Sequence, residues 1–267
     1  NPFGFILFKR NCDSVQQVRR LTDRLREITK RPDLLIIIDQ EGGRVQRLMP
    51  PVWRSSPSAQ KFGMLACKDL GAAKRATWIN ARLMAEDLYA IGCNVNCVPC
   101  LDVLDNNGHD VIGDRAFSSD KKVVAELGIA QVEGLKAGGI LPIMKHIPGH
   151  GRAAQDSHHQ LPTITTSIRE LSYRDFFPFK ALRNLPMGMT AHVVYSAIDP
   201  KNPATQSSRL IRKFVREEIN FEGILITDDI CMDALSGNST QRAQKALDAG
   251  CDIILHCNGN LDEVAEL

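Results

Sequence analysis

The sequence lacks several features that would place it in common protein classes. No stretch of its 267 residues approaches the roughly 18 uncharged apolar residues of a membrane span. No charged-then-apolar leader with a small-residue cleavage site is present, and the start at Asn1 leaves open a leader removed by processing. Basic residues form no clustered run, and 33 basic against 31 acidic residues give a net charge of +2. We therefore expect neither nucleic acid nor a membrane as partner, and we expect a cytoplasmic protein.

The eight cysteines also lack the spacing of a zinc or disulfide motif. Cys93, Cys97 and Cys100 lie close together, without a second CxxC pair or a CxxC…HxxxH pattern. Alternation predicts that Cys93, Val95 and Cys97 share one face of a strand. Because buried reduced cysteine behaves as a small hydrophobe, we expect core thiols in a reducing compartment.

What the chain does contain is a regular alternation of strands and helices. Apolar runs predict seven strands, near residues 3, 34, 94, 141, 187, 224 and 253. Helical spacing of apolar residues predicts helices near residues 15–30, 69–91, 121–137, 168–184, 209–218 and 240–249. The helix of residues 69–91 is expected to carry Trp78, Leu83, Leu88 and several alanines on its inner face. Asp13 or Ser14 is expected to cap the first helix.

Polar residues follow these strands where each strand ends. They are Asp39, Asp102, Lys145, His146, His192 and Asp228. In a (β/α)8 barrel the carboxyl ends of the strands converge on one face, where active sites of this fold lie. In an open, doubly wound sheet they would form a line instead. We therefore predict a TIM-type (β/α)8 barrel, a single domain over residues 1–267, with its first strand, its closing helix or both missing from this chain.

The loop after the fourth strand has the highest density of titratable groups. It reads KHIPGHGRAAQDSH from Lys145 to His158, and Pro148 and two glycines end the strand. Asp156 and His158 lie two residues apart at its far end. Such a loop at a strand's carboxyl end indicates function, and a surface loop with incidental histidines is the less favoured interpretation.

Three further segments allow two interpretations each. The stretch Asp39–Arg47 is either a ligand-facing loop or a charged turn with a glycine hinge. Arg115 is either a ligand clamp, for which its planar fork of donors is suited, or half of an ion pair with a neighbour such as Asp114. Asp228 and Asp229 compete for one role, because neighbours on a strand point to opposite faces and only one is expected to enter the barrel mouth. Asp228 is preferred as a rigidly placed nucleophile.

Taken together, these segments closely resemble bacterial β-N-acetylglucosaminidases of glycoside hydrolase family 3. The resemblance runs in order through Asp39–Arg47, Ile112–Arg115, Lys145–His158, Ala191–Tyr195 and Thr227–Asp229, and spans nearly the whole chain. Ile147 and the pair Ile230-Cys231 depart from the family pattern, and they change packing but no reactive group. Family members begin with an additional strand before the one near Phe3.

The resemblance implies roles for individual residues. Asp228 would be the catalytic nucleophile, His158 the general acid/base and Asp156 the partner of His158. Substrate-binding residues would be Asp39, Arg47, Arg115, Lys145, His146 and His192. The resemblance implies no cofactor and no metal. It further implies cytoplasmic removal of terminal N-acetylglucosamine from muropeptides that carry 1,6-anhydro-N-acetylmuramic acid, by a protein expected to be monomeric.

The implied histidine is unusual, because most glycosidases pair two carboxylates. Histidine titrates near neutrality, so it can donate a proton to the leaving oxygen and later recover one from water. Asp156 would favour the imidazolium and fix which ring nitrogen faces the substrate.

Three alternatives remain open at this point. A metal-dependent barrel hydrolase would use His146, His150, Asp156 and His158, although their spacing matches no metal motif. A Schiff-base aldolase would use Lys145. A non-catalytic muropeptide-binding sensor would keep the pocket without turnover, but it would not need an intact Asp228, Asp156 and His158 together.

Overall fold

The computed structural model describes residues 2–105, 108, 110–155, 157 and 160–267. Its centre is a parallel sheet of seven strands in the order β1-β2-β3-β4-β6-β8-β9. The strands are β1 Gly4–Leu7, β2 Leu35–Ile38, β3 Val95–Asn96, β4 Leu141–Ile147, β6 Met187–Thr190, β8 Ile224–Asp229 and β9 Ile253–Leu255. A small second sheet pairs β5 Thr163–Ile164 with β7 Val194–Tyr195, also in parallel, and was not predicted. All seven predicted strands are present.

The large sheet curls around an interior cluster of apolar side chains. Its buried members are Ile37, Val95, Cys97, Ile143, Met187, Met189 and Ile226. Ile6 of β1 and Leu255 of β9, from opposite ends of the sheet, pack against the same cluster. The two terminal strands therefore lie around one interior, as in a barrel, which confirms the (β/α)8-type prediction with seven strands in this chain.

Helices cover the outer face of the sheet. They are α1 Val15–Thr29, α2 Ala59–Ala66, α3 Leu70–Ala90, α4 Lys121–Ala137, α5 Ile168–Tyr173, α6 Phe177–Ala181, α7 Ser208–Leu210 with its π-helical continuation Ile211–Glu218, α8 Ser239–Ala249 and α9 Leu261–Glu266. Ser14 is the residue that caps α1, with its side chain accepting from the amide of Gln17. No helix in the described part of the chain is both long and apolar enough to cross a membrane.

Two helix predictions were wrong in detail. Trp78 and Leu83 are 37% and 47% exposed, so of the three large side chains assigned to the inner face of α3 only Leu88 is buried, together with the expected alanines Ala73, Ala81 and Ala85. The predicted helix of residues 168–184 is two short helices, because Pro178 lies in the first turn of α6 and a proline inside a continuous helix would clash with the preceding turn.

The clustered cysteines are buried, as expected, but they do not share one strand face. Val95 and Cys97 belong to the interior cluster, whereas Cys93 lies in the cluster between the sheet and its covering helices. Strand β3 begins only at Val95, so the alternation does not extend back to Cys93.

Candidate active site

A cavity of about 250 Å³ opens at the carboxyl ends of the strands. Its charged and polar lining residues are Asp39, Glu41, Arg47, Arg115, Lys145, His146, His150, Ser157, Asp228 and Asp229. Its apolar wall includes Ile6, Phe8, Val45, Ile112, Met189, Met232 and Leu255. Strands from both ends of the sheet therefore contribute to one pocket, as the barrel prediction requires.

The period of two along a strand explains why charged side chains enter this cavity. Ile37, Ile143 and Ile226 point into the apolar interior. Each of these isoleucines is followed two residues later by a charged residue: Asp39, Lys145 and Asp228. Because side chains two apart on a strand point to the same face, these charged groups lie on the same side and nearer the cavity. The polar site therefore lies directly above the apolar interior layer.

Lys145 forms two buried ion pairs in this layer. Its ammonium lies 2.7 Å from Asp39 Oδ1 and 2.6 Å from Glu41 Oε1, and its side chain is 3% exposed. Burial alone would lower the pKa of Lys145, but the two carboxylates outweigh it and raise the pKa above its usual value. A lysine held in its charged form is a poor nucleophile, which argues against the Schiff-base alternative.

Arg115 is held by Glu41 and not by Asp114. Its Nε and Nη2 atoms donate to the two Glu41 oxygens at 2.9 and 2.8 Å, a bidentate pair, while Asp114 contacts Arg44. Arg115 Nη2 also lies 3.3 Å from His146 Nε2. The two interpretations of Arg115 are therefore compatible, since it lines the cavity and is ion-paired at once.

The Asp39–Arg47 loop folds back so that its two ends meet. Gln40 accepts from the amide of Arg47 at 2.8 Å, and Arg47 Nη2 reaches Asp39 Oδ2 at 3.3 Å. Gly42 has φ of +105°, and a Cβ there would lie 2.2 Å from the Pro57 carbonyl oxygen. The loop is thus a glycine-hinged turn that also lines the cavity, and its contact with a ligand stays a prediction.

Asp102 is a fully buried carboxylate that fixes His146. Its Oδ2 lies 2.6 Å from His146 Nδ1, and its Oδ1 accepts from the backbone amide of His150 at 2.6 Å. Burial alone would raise the pKa of Asp102, but His146 and His150 hold it well below its usual value. The bond leaves Nε2 of His146 facing Arg115 and the cavity.

Both Asp228 and Asp229 line the cavity, so the expectation that only one enters was wrong. The register of β8 against β9 shifts between Ile226 and Asp229, and such a bulge breaks the alternation of side chains. The two carboxylates still differ in their contacts. Asp229 Oδ1 accepts from the amides of Cys231 and Cys257, whereas Asp228 Oδ1 accepts from the amide of Asp229.

The surroundings of Asp228 keep it ionised. Burial alone would raise its pKa, but His146, His192, the Asp229 amide and Lys145 outweigh this and lower the pKa below its usual value. Asp228 therefore presents a carboxylate to the cavity, whereas the Asp229 carboxylate is used to join the ends of β8 and β9.

His192 is completely buried and does not line the cavity. Its Nδ1 lies 2.7 Å from Thr205 Oγ1, and its Nε2 lies 2.9 Å from the carbonyl oxygen of Asp229. Both ring nitrogens are thus engaged, and they hold the backbone next to Asp228. Substrate contact by His192 stays a prediction, and this geometry does not favour it.

Asp156 and His158 lie outside the described residues, so their assigned roles stay predictions here. Ser157, between them in the sequence, is described: its hydroxyl is 3.1 Å from His150 Nε2 and lines the cavity. Glu41 is a site residue that the sequence did not predict. Asp102 was predicted only as a polar residue at a strand end, and His150 only as a ligand in the metal alternative. The signal for Glu41 was its place in the Asp39–Arg47 segment, since a buried lysine and arginine need carboxylate partners.

Two clusters in the described part of the chain have side chains close enough to bind one metal ion. The first cluster consists of Cys100, Asp102 and His146. There, Oδ2 of Asp102 and Nδ1 of His146 already form a hydrogen bond with each other. Cys231, His256 and Glu263 form the second, and Glu263 there also accepts from Ser239, Asn258 and Asn260 near the start of α9. Two of the four residues of the metal alternative, Asp156 and His158, lie outside the described residues, so that alternative is not tested here.

Comparison with known proteins identifies the family. Residues 3–267 match the glycosyl hydrolase family 3 N terminal domain. The chain belongs to glycosyl hydrolase family 3. It is 40% identical over 259 residues to a β-hexosaminidase of Methylococcus capsulatus, covering 96% of this chain and 75% of that protein. It is therefore a glycoside hydrolase of the β-hexosaminidase group, and it spans about three quarters of the length of such relatives.

Solved structures agree with this placement. NagZ from Neisseria gonorrhoeae, in complex with N-trifluoroacetyl-D-glucosamine, superposes with a TM-score of 0.91 at 37% identity and covers 99% of this chain and 76% of that one. The same gonorrhoeal protein has been solved with a zinc ion, at a TM-score of 0.89, 36% identity and the same coverage. The recognised family resemblance and the barrel fold are thereby confirmed.

Proposed function

We propose that this glycoside hydrolase is a retaining β-N-acetylglucosaminidase that removes terminal, non-reducing N-acetylglucosamine from muropeptides carrying 1,6-anhydro-N-acetylmuramic acid. It would act in the cytoplasm during cell-wall recycling, as a monomer with one catalytic domain over residues 1–267. The β-hexosaminidase relatives and the N-trifluoroacetyl-D-glucosamine complex of gonorrhoeal NagZ support the sugar, and the family resemblance supports the acceptor.

The observation that carries the mechanism is the position of the Asp228 carboxyl group at the cavity, where its surroundings lower its pKa. A nucleophile for double displacement must be deprotonated, rigidly placed and free to approach the anomeric carbon. Asp228 is the second-last residue of β8, its pKa is lowered, and its hydrogen bond from the Asp229 amide fixes its orientation. In the first step it would form a glycosyl ester as the glycosidic oxygen leaves; in the second, water would release the sugar with net retention.

The charged groups above the interior layer would bind the sugar hydroxyls. Arg115 and Lys145 carry fixed positive charge, and charge-assisted hydrogen bonds are roughly twice as strong as neutral ones. Asp39 and Arg47 form the opposite side of the same network, and His146 offers Nε2. Because Asp102 and Glu41 hold these donors in place, little ordering would remain to be done when the substrate binds.

His158 is proposed as the proton donor to the leaving oxygen and as the base for the attacking water, with Asp156 as its partner. The support is the family resemblance together with the chemistry of imidazole, which titrates near neutral pH. Acid/base catalysis by such a group is typically worth about 10² to 10⁴ in rate.

Trapping of the covalent intermediate tests the nucleophile. Incubation with a slow fluorinated N-acetylglucosaminide, followed by proteolysis and mass spectrometry, should place the sugar on Asp228. Proton NMR of early product should show the β-anomer first. Early α-product, or sugar attached to Asp229, would overturn the assignment.

Leaving-group dependence tests the acid/base. His158→Ala should lose most activity on substrates with a sugar leaving group, and it should release an activated aryl leaving group in a burst, because only the second step then lacks its base. Azide should restore turnover as the β-glycosyl azide. Equal losses on both substrates with no azide effect would remove His158 from this role. Absence of any turnover in the intact protein would favour the sensor alternative.

A further inference from the structure

His150 is a buried histidine of the cavity to which the proposed mechanism gives no role. It is 2% exposed, and its ring centroid lies 5.6 Å from that of His146 in an edge-on arrangement. Unlike His146, it belongs to the loop that runs on towards Asp156 and His158. Its contacts indicate what it does for that loop.

The backbone around His150 is fixed from several sides. The amide of His150 donates to Asp102 Oδ1 at 2.6 Å, and the hydroxyl of Tyr195 donates to the carbonyl of Gly149 at 2.6 Å. At Gly151 the chain passes so close to Val103 that a Cβ would lie 2.0 Å from the Val103 carbonyl oxygen. The segment at the base of this loop therefore has little freedom to move.

Arg152, the next residue, extends this anchorage outwards. Its Nε donates to both Asp175 oxygens at 3.1 and 2.9 Å, its Nη1 lies 3.3 Å from Asp105, and its Nη2 lies 2.7 Å from Glu170. Asp175 is almost fully buried, so the pair with Arg152 is shielded from solvent. The base of the loop is thus tied to two neighbouring loops as well as to Asp102.

From this fixed base the ring of His150 reaches the far end of the loop. Its Nε2 lies 3.1 Å from Ser157 Oγ, and Ser157 is 3% exposed. Burial, and to a smaller extent the nearby His146, lowers the pKa of His150 to about 4, so the ring is neutral at physiological pH. Nδ1 of His150 is buried without a partner among the described residues. A buried N–H without an acceptor is rare, so we assign the ring proton to Nε2, which donates to Ser157.

We propose that His150 is a positioning residue for the proposed acid/base: through its hydrogen bond to Ser157 it fixes at the cavity the residue that lies between Asp156 and His158 in the sequence. Asp102 then serves two purposes, since one carboxylate fixes the ring of His146 on the sugar side and the backbone of His150 on the loop side. The inference rests on the proposed role of His158.

The role predicts a particular kinetic signature. If the bond positions the acid, its loss should matter in proportion to how much the leaving group needs a proton. We expect Ser157→Ala to lower kcat/KM about threefold to tenfold for poor leaving groups, the range expected for one neutral hydrogen bond, and to leave activated aryl leaving groups within about twofold. A plot of log kcat/KM against leaving-group pKa should therefore become steeper.

Two variants of His150 separate the hydrogen bond from the bulk of the ring. His150→Gln keeps an N–H donor and should retain most of the wild-type slope, whereas His150→Leu should match Ser157→Ala. The double variant with His150→Leu and Ser157→Ala should be no worse than the poorer single variant, because both remove the same bond. Ser207→Ala is the matched control: Ser207 is equally buried, caps α7 and lies outside the cavity, and its loss should leave the slope unchanged.

The experiment is a series of aryl N-acetylglucosaminides measured with these variants and with His158→Ala. If His158→Ala steepens the plot while Ser157→Ala and His150→Leu shift it in parallel, the proposed function stands and the positioning role is refuted. A parallel loss in His150→Leu alone would mean that His150 contacts the sugar instead. If His158→Ala leaves the slope unchanged, the proposed function fails and the inference fails with it. His150→Leu need not fold for the test, because Ser157→Ala decides it alone.

Discussion

Glu41 provides the most demanding test of the charge network, because it is a single carboxylate between two cations. Its side chain is 7% exposed and contacts Lys145 Nζ at 2.6 Å and Arg115 at 2.8 and 2.9 Å. Glu41→Gln preserves the shape of the side chain but removes its charge. It also turns an amide NH₂ towards two groups that can only donate, so at least one contact must be lost.

The size of the effect follows from the burial. Removing one partner of a buried ion pair costs about 3–5 kcal/mol, because a charge is left without compensation. Lys145 keeps Asp39, so most of this cost comes from Arg115. For a chain of this size 1 kcal/mol shifts Tm by about 2–4 °C, so the variant should melt roughly 6–20 °C below the wild type. Activity should fall as well, since both cations are proposed to bind the sugar.

The pH dependence gives a second prediction of definite sign. Burial would raise the pKa of Glu41, but Arg115 and Lys145 outweigh it and hold the pKa well below its usual value. A carboxylate with a lowered pKa contributes stability that is fully present above its unfolded pKa of about 4.3 and is lost as the pH falls through the folded pKa. The stability difference between wild type and Glu41→Gln should therefore be constant from about pH 6 to 8 and narrow only below about pH 4.

Thermal and denaturant unfolding at several pH values would measure these differences. Glu126→Gln is the control, since Glu126 forms an ion pair with Lys74 in which both side chains are 43% exposed. Such a surface pair contributes about 0–1 kcal/mol. If Glu41→Gln destabilises the protein no more than Glu126→Gln does, the reasoning about the network is refuted.

Three further predictions concern other parts of the molecule. Exhaustive chelation should leave hydrolysis unchanged, because the histidines are assigned to proton transfer and sugar contact; loss with EDTA and recovery with zinc would favour the metal alternative. Asp102→Asn should lower kcat/KM about 10- to 100-fold, the effect of a hydrogen bond to a charged group, because His146 loses its fixed orientation; an unchanged value at pH 7 would contradict this. Brief iodoacetamide treatment of the native protein should label exposed Cys67 before Cys93, Cys97 and Cys100, whose thiol pKa values are raised by burial; peptide mapping that finds Cys97 labelled first would contradict the burial.

The strands were predictable because a parallel strand buried on both faces leaves a continuous apolar run. The runs at residues 34–38 and 140–144 are of this kind, and both form central strands. The face of α3 was less predictable. The alanines were expected on the inner face, and Ala81 and Ala85 are buried there. They lie so close to α4 that a Cβ at Gly134 would be 2.8 Å from Ala81 Cβ, so the larger Trp78 and Leu83 lie towards solvent.

The site was predictable where strand position decides it, and unpredictable where the register changes. Asp39, Lys145 and Asp228 follow from a period of two. Asp228 and Asp229 both line the cavity because the register of β8 against β9 shifts next to them. In the same way, Lys145 and His146 both line the cavity where the register of β4 against β6 shifts. A strand sequence does not show where such a bulge falls, so strict alternation gave the wrong expectation for the second aspartate.

His192 shows a different limit. Its position at a strand end predicted a side chain in the barrel mouth, and a strand end does place it beside Asp228. What the sequence does not show is that Thr205, 13 residues later, approaches the ring from the side and occupies Nδ1. A buried histidine satisfies both nitrogens where it can, and here the partners come from the protein.

The charge network explains how an ionised nucleophile can exist beside several cations without being neutralised by them. Lys145 lowers the pKa of Asp228, yet its ammonium contacts Asp39 and Glu41, and Asp228 forms no ion pair with a described residue. If Lys145 were unpaired, it would be drawn to Asp228 and would have to be displaced before attack on the anomeric carbon. Asp39 and Glu41 together therefore hold the ammonium of Lys145 and leave the Asp228 carboxylate free to react.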